Sequence, residues 1–276
     1  MPAELEKTPT PAPTPATEHV LEPLRARPGA AAIVCDVDGT LAPIVSRPED
    51  AVVPDVARTL LEELSGRFGL VACLSGRQAE EARRIVGVPS LTYVGNHGLE
   101  VLRPGAATEQ TVPADGQVEA VRAFVAGLDR DTLARAGISV EDKQSIVSLH
   151  WRRAPDERSA RELLGGIARQ AETASVRPHW GRKVLELRPR AGVDKGTALA
   201  SLVREARAAT ALYGGDDTTD VDAFRALRAL REDGALEHAV CVGVRSDEAP
   251  AEITAEADLL VDGPAGFVAM LTLLVR

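Results

Sequence analysis

The sequence has few cysteines, no long apolar run and no cluster of basic residues. Its three cysteines, Cys35, Cys73 and Cys241, stand in apolar stretches without a Cys-x-x-Cys spacing. This pattern favours buried thiols in a reducing compartment over disulfides or a zinc site. No apolar run reaches the roughly 18 residues of a membrane span, and the net charge of −9 disfavours nucleic acid and anionic membranes. We therefore expect a cytoplasmic protein without a nucleic-acid or membrane partner.

The chain divides by composition and by periodicity. Residues 1–28 are rich in Pro, Thr, Ala and Glu without apolar periodicity, and we interpret them as a flexible N-terminal tail. Beyond them, apolar strand-like runs alternate with helical stretches, which predicts a parallel α/β sheet. After a strand at residues 91–95 the pattern changes to helix, two strands, helix and two strands. The sequence thus predicts a discontinuous core, residues 29–108 and 190–276, interrupted by an α+β region at residues 109–189.

The inserted region has its own predicted elements. Amphipathic spacing predicts helices over residues 117–129 and 156–173. The predicted strands cover residues 137–142, 145–151, 174–179 and 183–188. Two helices on a four-stranded sheet can form a lid that excludes water and holds the part of a ligand that does not react.

The most informative motif is Asp36-Val37-Asp38-Gly39, which directly follows the apolar run of residues 31–35. It places two carboxylates at the end of a predicted buried strand, where open α/β sheets carry out their chemistry. Asp36 can attack an electrophile there while Asp38 moves a proton, provided that a cation reduces their repulsion. Taken alone, the motif is equally typical of a turn, or of the metal-binding Asp-x-Asp of a glycosyltransferase.

Three further motifs supply polar groups at predicted strand or helix ends. Ser75 follows an apolar run and offers a hydroxyl to a phosphoryl oxygen, although serine is also a common helix N-cap. Lys195 begins a predicted helix and can neutralise phosphate, although most lysines are exposed. The segment Gly-Gly-Asp-Asp-Thr-Thr-Asp at residues 214–220 supplies hard oxygen ligands that suit magnesium. Together the four motifs contain the groups that phosphoryl transfer through an aspartate needs.

In this order the motifs resemble the haloacid dehalogenase superfamily of phosphatases. Within it the chain is similar to the trehalose-6-phosphate phosphatase family. The stretches that match the family pattern are residues 38–45, 95–100, 140–143, 150–152, 181–189 and 214–220. The resemblance implies an α/β fold, with a Rossmann-like parallel-sheet haloacid dehalogenase core and an inserted α+β cap domain.

The resemblance also implies catalytic roles for four residues. Asp36 is the implied nucleophile, which forms an aspartyl-phosphate. Asp38 is implied to protonate the leaving sugar oxygen and then to activate the hydrolytic water. Ser75 and Lys195 are implied to hold the phosphoryl oxygens as charge redistributes.

The implied cofactor is Mg²⁺. Its implied ligands are Asp36, the backbone carbonyl of Asp38, and Asp216, while Asp220 is expected to brace Lys195 or the surroundings of the metal. One position departs from the family pattern, which has an acidic residue where this chain has Val221. Asp216 and Asp220 are retained, so the departure affects a role at position 221 and not the metal ligands.

The implied substrate site combines residues from the core and from the inserted region. These residues are Gly76, Arg77, Asn96 and His97 on the core, and Glu141, Lys143, Arg152 and Glu186 on the insert. Ionised side chains can recognise a polyhydroxyl ligand because each accepts or donates several hydrogen bonds. Without the resemblance, the same residues on the insert are typical of an exposed sheet face with ion pairs.

The resemblance implies a magnesium-dependent phosphatase that converts trehalose 6-phosphate to trehalose and phosphate, as a step of trehalose biosynthesis. Two alternatives stay open. One keeps the chemistry and changes the substrate to sucrose phosphate or mannosyl-3-phosphoglycerate. The other is a non-catalytic sugar-phosphate sensor. A trehalose-phosphate synthase is a possible protein partner.

Overall fold

A computed structural model describes residues 15–45, 47–110, 116–143, 145–181, 183–190, 192–246 and 249–276, without the side chains of residues 15, 16, 109 and 110. The strands are β1 Ala31–Asp36, β2 Leu70–Leu74, β3 Thr92–Gly95, β4 Glu100–Leu102, β5 Glu109–Gln110, β6 Ser139–Asp142, β7 Val147–His150, β8 Val176–Gly181, β9 Val184–Pro189, β10 Thr210–Gly215, β11 His238–Arg245 and β12 Leu259–Asp262. The α-helices are α1 Pro15–Ala26, α2 Asp55–Arg67, α3 Ala79–Val86, α4 Gln117–Ala126, α5 Arg130–Arg135, α6 Glu157–Thr173, α7 Lys195–Glu205, α8 Thr218–Glu232, α9 Ala251–Glu256 and α10 Gly263–Leu271. Among the described residues, no helix is both long and apolar enough to cross a membrane.

The larger sheet has eight strands in the order β12-β11-β10-β1-β2-β3-β4-β5. The six strands from β12 to β3 are parallel, and β4 and β5 extend the sheet in antiparallel pairing. This mostly parallel α/β sheet confirms the predicted fold class. The chain leaves β1 toward β2 on one side and later returns through β10 on the other. The carboxyl ends of β1 and β10 therefore meet at the topological switch point, where open α/β sheets bind ligands.

Strand β1 is buried on both faces, which explains its continuous apolar run. Ile33 and Cys35 face one apolar core, which includes residues of α1, α2, α3 and α10. Ala32 and Val34 face the other core, which includes residues of α7, α8 and α9. The sheet edge that carries Asp36 is consequently fixed by packing from both sides.

The inserted region forms a separate four-stranded antiparallel sheet in the order β6-β7-β9-β8. Its own apolar core includes Val121 and Val125 of α4, Leu164 of α6, and Leu185 of β9. The four strands overlap the four predicted ones. The helix predicted for residues 117–129 ends at Ala126, because Gly127 follows and a separate helix, α5, begins after Asp129. The Asp129 carboxylate accepts the backbone N–H groups of residues 131 and 132 and so caps α5.

Two predicted boundaries are wrong. The predicted tail of residues 1–28 contains helix α1, in which Leu21 and Leu24 are fully buried against the core sheet. These two leucines lie one helical turn apart, a short apolar signal that the surrounding prolines, including Pro23 inside the helix, concealed. Residues 1–14 lie outside the described part of the chain. The core also extends past residue 108, because β5 pairs with β4 in the larger sheet.

Candidate active site

Two carboxylates lie side by side where β1 and β10 end. Asp36 is the last residue of β1, Asp216 directly follows β10, and both are buried. One oxygen each of Asp36, Asp216 and Asp220 lie within 4.8 Å of one another. Gly39 closes this group from the loop after β1, with a φ of 90°. A Cβ atom at position 39 would lie 2.2 Å from Asp216 Oδ2, so only glycine permits this close approach.

Lys195 is the cation of this group, and it begins α7. Its Nζ donates to Asp36 Oδ1 and to Asp220 Oδ1, both at 2.6 Å. Burial lowers the pKa of Lys195, but the Asp220 and Asp36 carboxylates outweigh burial and raise it above its ordinary value. The side chain of Asp194 caps α7 and fixes the position of Lys195. The charged form of Lys195 is therefore favoured beside the predicted nucleophile.

Asp220 braces Lys195 and has few lone pairs left for any other partner. Its Oδ1 accepts Lys195 Nζ and the Tyr213 hydroxyl, which donates at 2.6 Å. Its Oδ2 accepts the backbone N–H groups of Asp216 and Asp217 at 3.0 and 2.9 Å. Tyr213 was not predicted as a site residue from the sequence, because a tyrosine in a buried strand has the same pattern as a purely apolar core residue.

The donors that remain suit a hard divalent cation. Burial raises the pKa of Asp36, and the nearby Asp220 and Asp216 carboxylates raise it further, against the effect of Lys195. Three buried carboxylates therefore face one ammonium, and the excess negative charge favours a bound cation. The buried carboxylates of Asp36 and Asp216 lie close together and offer oxygen donors of the kind that Mg²⁺ binds, whereas Asp220 already accepts four hydrogen bonds. The backbone carbonyl of Asp38 stays a predicted third ligand. Val221 is buried in the apolar core and takes no part.

Asp38 contacts Arg77, a predicted substrate-binding residue. The guanidinium donates from Nε to Asp38 Oδ2 at 2.7 Å and from Nη2 to Asp38 Oδ1 at 2.8 Å. Arg77 Nη1 donates to Glu81. Described residues thus accept three of the five guanidinium N–H groups, and the other two can donate to a substrate oxygen.

Ser75 and Gly76 lie in a loop that is joined to the loop after β3. His97 N donates to Ser75 O at 3.0 Å, and Asn96 N donates to Arg77 O at 2.7 Å. Asn96 and His97 both adopt left-handed backbone conformations, with φ of 49° and 56°. A Cβ atom at Gly76 would lie 2.7 Å from His97 Nε2, so glycine allows the imidazole to approach. The two loops form one wall of the site.

The predicted sugar-binding residues of the insert form a charged cluster with His97 of the core. Glu186 Oε2 lies 3.1 Å from His97 Nε2, and Glu186 Oε1 lies 3.5 Å from Lys143 Nζ. Arg188 donates to Glu186 through Nε at 2.9 Å. Burial would raise the pKa of Glu186, but His97, Arg188 and Lys143 hold it well below its ordinary value. Burial, aided by the charge of Arg188, lowers the pKa of His97 to about 3.

Glu141 is the more exposed carboxylate of the insert. Its Oε2 lies 2.8 Å from His150 Nε2, and this contact lowers the pKa of Glu141. Lys143 connects the insert to the core, because its Nζ donates to Gly76 O at 3.2 Å and its carbonyl accepts Asn96 Nδ2 at 2.9 Å. Arg188, which belongs to the same cluster, was not predicted from the sequence.

One cavity of about 230 Å³ brings together most of the predicted site residues. Its predicted lining residues are Asp36, Asp38, Gly76, Arg77, His97, Glu141, Lys143, Glu186 and Lys195. Arg152 and Asp216 line an adjoining recess of about 200 Å³ with Asp38. Ser75 and Asn96 are buried in the loops behind the cavity wall. The fold thus places nucleophile, acid/base and sugar-binding candidates around a single space, while their individual roles stay predictions.

Comparison with known proteins agrees with this arrangement. The family model described as trehalose-phosphatase matches residues 34–258. The chain therefore belongs to the trehalose-phosphatase family. The trehalose-phosphate phosphatase of Mycobacterium avium is 37% identical over 207 residues, which cover 71% of this chain and 51% of that protein. A Mycobacterium tuberculosis protein described as an uncharacterized glycosyl hydrolase is 36% identical over 204 residues, covering 71% of this chain and 15% of that protein.

Solved structures of family members share the fold. A trehalose-6-phosphate phosphatase of Aspergillus fumigatus is 27% identical, with a TM-score of 0.64 and coverage of 96% of this chain and 98% of that chain. The C-terminal domain of the Candida albicans trehalose-6-phosphate phosphatase superimposes with a TM-score of 0.75 at 21% identity, covering 98% and 99%. By contrast, the chain spans only about half the length, or less, of the curated relatives that it matches.

Proposed function

We propose that this chain is a magnesium-dependent phosphatase that hydrolyses trehalose 6-phosphate to trehalose and phosphate. The observation that carries the proposal is the buried Lys195 ammonium, which lies 2.6 Å from Asp36 in the cavity that also contains the charged residues of the insert. A phosphoryl group at Asp36 would meet a fixed cation, and the attached sugar would meet Glu141, Lys143 and Glu186. Family membership and the names of the relatives support the same substrate.

The residues present can carry out hydrolysis in two steps. In the first, Asp36 attacks phosphorus as the bond to the sugar oxygen breaks, and Asp38 donates a proton to that oxygen. In the second, water attacks the aspartyl-phosphate, Asp38 takes the proton of the water, and the carboxylate of Asp36 is restored as phosphate leaves. Lys195 stabilises the phosphoryl oxygens in both steps. Mg²⁺, held by Asp36, the Asp38 carbonyl and Asp216, would neutralise charge between nucleophile and phosphate.

The inserted region would act as the cap. Its contacts to the core, through Lys143 to Gly76 and through Glu186 to His97, lie directly over the cavity. A closed cap excludes water from the aspartyl-phosphate and uses sugar binding to support the reaction. A cytoplasmic location is supported by three buried cysteines without disulfides. An interaction with a trehalose-phosphate synthase stays a prediction.

The test is phosphate release from trehalose 6-phosphate, sucrose 6-phosphate, glucose 6-phosphate and mannosyl-3-phosphoglycerate, with magnesium or with EDTA. We expect preference for the first substrate and loss of activity in EDTA. Asp36→Asn should lower turnover at least about a thousandfold while sugar-phosphate binding persists. The exposed Asp55→Asn is the matched control and should retain activity.

Other results of this experiment would favour one of the two alternative functions or contradict the mechanism. Activity on a different sugar phosphate would keep the chemistry and replace the substrate. Binding without turnover in the unmodified chain would favour the non-catalytic sensor. Unchanged turnover in Asp36→Asn would overturn the mechanism.

A further inference from the structure

The side chain of Asp38 is held in one orientation by a planar fork. Two N–H groups on one edge of the Arg77 guanidinium donate to the two Asp38 oxygens at 2.7 and 2.8 Å. Paired, parallel hydrogen bonds of this kind fix the plane of the carboxylate as well as its distance. Among the described residues, both hydrogen bonds of the Asp38 side chain come from Arg77, and this side chain is 36% exposed. The orientation of the carboxylate of Asp38, the proposed acid/base residue, therefore depends on Arg77.

Arg77 is in turn held by Glu81. Nη1, on the opposite side of the guanidinium, donates to Glu81 Oε1. Glu81 lies in the first turn of α3, four residues after Arg77. The start of this helix is anchored to the core sheet, because the buried carboxylate of Glu100 on β4 accepts the backbone N–H of Ala79 at 2.8 Å. A continuous chain of contacts thus runs from β4 through α3 and Glu81 to Arg77 and Asp38.

The neighbouring Glu80 shows what an ordinary helical ion pair on α3 looks like. Glu80 contacts Arg83 at 2.6 Å, and both side chains are largely exposed at 54% and 41%. Glu81 and Arg77 are 32% and 12% exposed, and both line the cavity that contains Asp36. Exposed pairs at this spacing contribute little to stability. The Glu81 contact differs because its partner bonds the acid/base residue.

We propose that Glu81 is a positioning residue that acts through Arg77 to hold the Asp38 carboxylate in line with the hydrolytic water. The inference rests on the proposed function, since it concerns the second step of that reaction. In that step the oxygen–phosphorus bond from water forms, the bond from Asp36 to phosphorus breaks, and the proton of the water moves to Asp38. The carboxylate form of Asp38 that Arg77 holds is the form that can accept this proton. If the Asp38 carboxylate loses this orientation, hydrolysis of the aspartyl-phosphate becomes slower.

The experiment uses Glu81→Gln, which keeps the size of the side chain and weakens its hold on the guanidinium. Trehalose 6-phosphate with a labelled phosphate is turned over and quenched in acid, and the label bound to protein is counted. We expect kcat to fall about tenfold, KM to stay within about twofold, and the phosphorylated fraction of the enzyme to rise. Arg77→Lys, which keeps the charge but loses the fork, should increase the phosphorylated fraction further. Glu80→Gln should match the unmodified protein.

The outcomes separate this inference from the proposed function. An unmodified chain that neither releases phosphate nor acquires label would contradict the proposed function itself. If the unmodified chain is active and Glu81→Gln has the same kcat, Glu81 has no positioning role. A lower kcat in Glu81→Gln without more protein-bound phosphate would also overturn the inference, because a general loss of structure slows the reaction without favouring one intermediate.

Discussion

The two charged clusters of the cavity are held in different ways. The core cluster consists of Asp36, Asp216, Asp220 and Lys195, and the insert cluster consists of Glu141, Lys143, His150, Glu186 and Arg188. In the core cluster, Asp220 is fixed by two backbone N–H groups and a tyrosine, all from one edge of a single sheet. In the insert cluster, the contacts that described residues make to the Glu186 carboxylate all come from side chains, one of which, His97, belongs to the core.

This difference indicates a division of labour. Groups fixed by the backbone of one sheet are preorganised, so they can stabilise charge without rearranging during the reaction. Groups held by side chains across two sheets depend on how the insert sits on the core. Single substitutions in the core cluster should therefore lower both the free energy of unfolding and kcat. Single substitutions in the insert cluster should mainly raise KM, because they weaken substrate binding.

The largest effect is expected from Lys195→Met, measured as the free energy of unfolding in urea with EDTA present. The change leaves Asp36 and Asp220 buried without their cation, which costs roughly 3–5 kcal/mol. Lys183→Met on the insert removes a partner of Glu157 in an exposed pair and should cost at most about 1 kcal/mol. Equal losses in the two variants would refute the claim that Lys195 is a buried cation on which the stability of the core cluster depends.

The proximity of Asp36 and Asp216 in the core cluster could be predicted from the residues alone, whereas Glu141, Lys143 and Glu186 of the insert cluster were predicted only through the family resemblance. Asp36 and Asp216 follow apolar runs, and the carboxyl ends of parallel strands necessarily meet at one edge, so their proximity follows from the fold class. The contacts of Tyr213 to Asp220 and of Arg77 to Asp38 could not be predicted, because each depends on side-chain directions between separate elements. Helix α1 was missed for another reason: its apolar signal is short and lies in a proline-rich context.

A smaller effect is expected within the insert cluster, where Glu186→Gln should weaken substrate binding more than Glu141→Gln. The measurements are KM and kcat for trehalose 6-phosphate. Glu186 is 5% exposed and contacts Arg188, Lys143 and His97, so losing its charge leaves cations poorly paired beside the substrate. We expect KM to rise roughly tenfold to a hundredfold for Glu186→Gln. Glu141, which is half-exposed, should give only a severalfold rise. A fall in kcat with unchanged KM would place Glu186 in the chemical step and remove the distinction between the clusters.

The smallest expected effect concerns the pH dependence of stability at the contact between the clusters. His97 has an ordinary pKa of 6.5, which burial and Arg188 lower to about 3 in the folded protein. In this pH range His97 is protonated in the unfolded chain and neutral in the folded chain. The free energy of unfolding therefore decreases as pH falls from about 6.5 toward 3. Between pH 6.5 and 5, His97 should account for roughly 1–2 kcal/mol of this loss.

His97→Gln tests how much of this pH-dependent loss of stability comes from His97, because glutamine can donate a hydrogen bond to Glu186 but does not titrate. The variant should show a shallower decline in the free energy of unfolding between pH 6.5 and 5 than the unmodified protein. His179, whose pKa burial and Arg188 lower to about 4, still titrates in His97→Gln and keeps part of the slope. If the decline is as steep in His97→Gln as in the unmodified chain, His97 is not buried between the two sheets in solution. The insert would then rest in a more open position, with Glu186 exposed to water before substrate arrives.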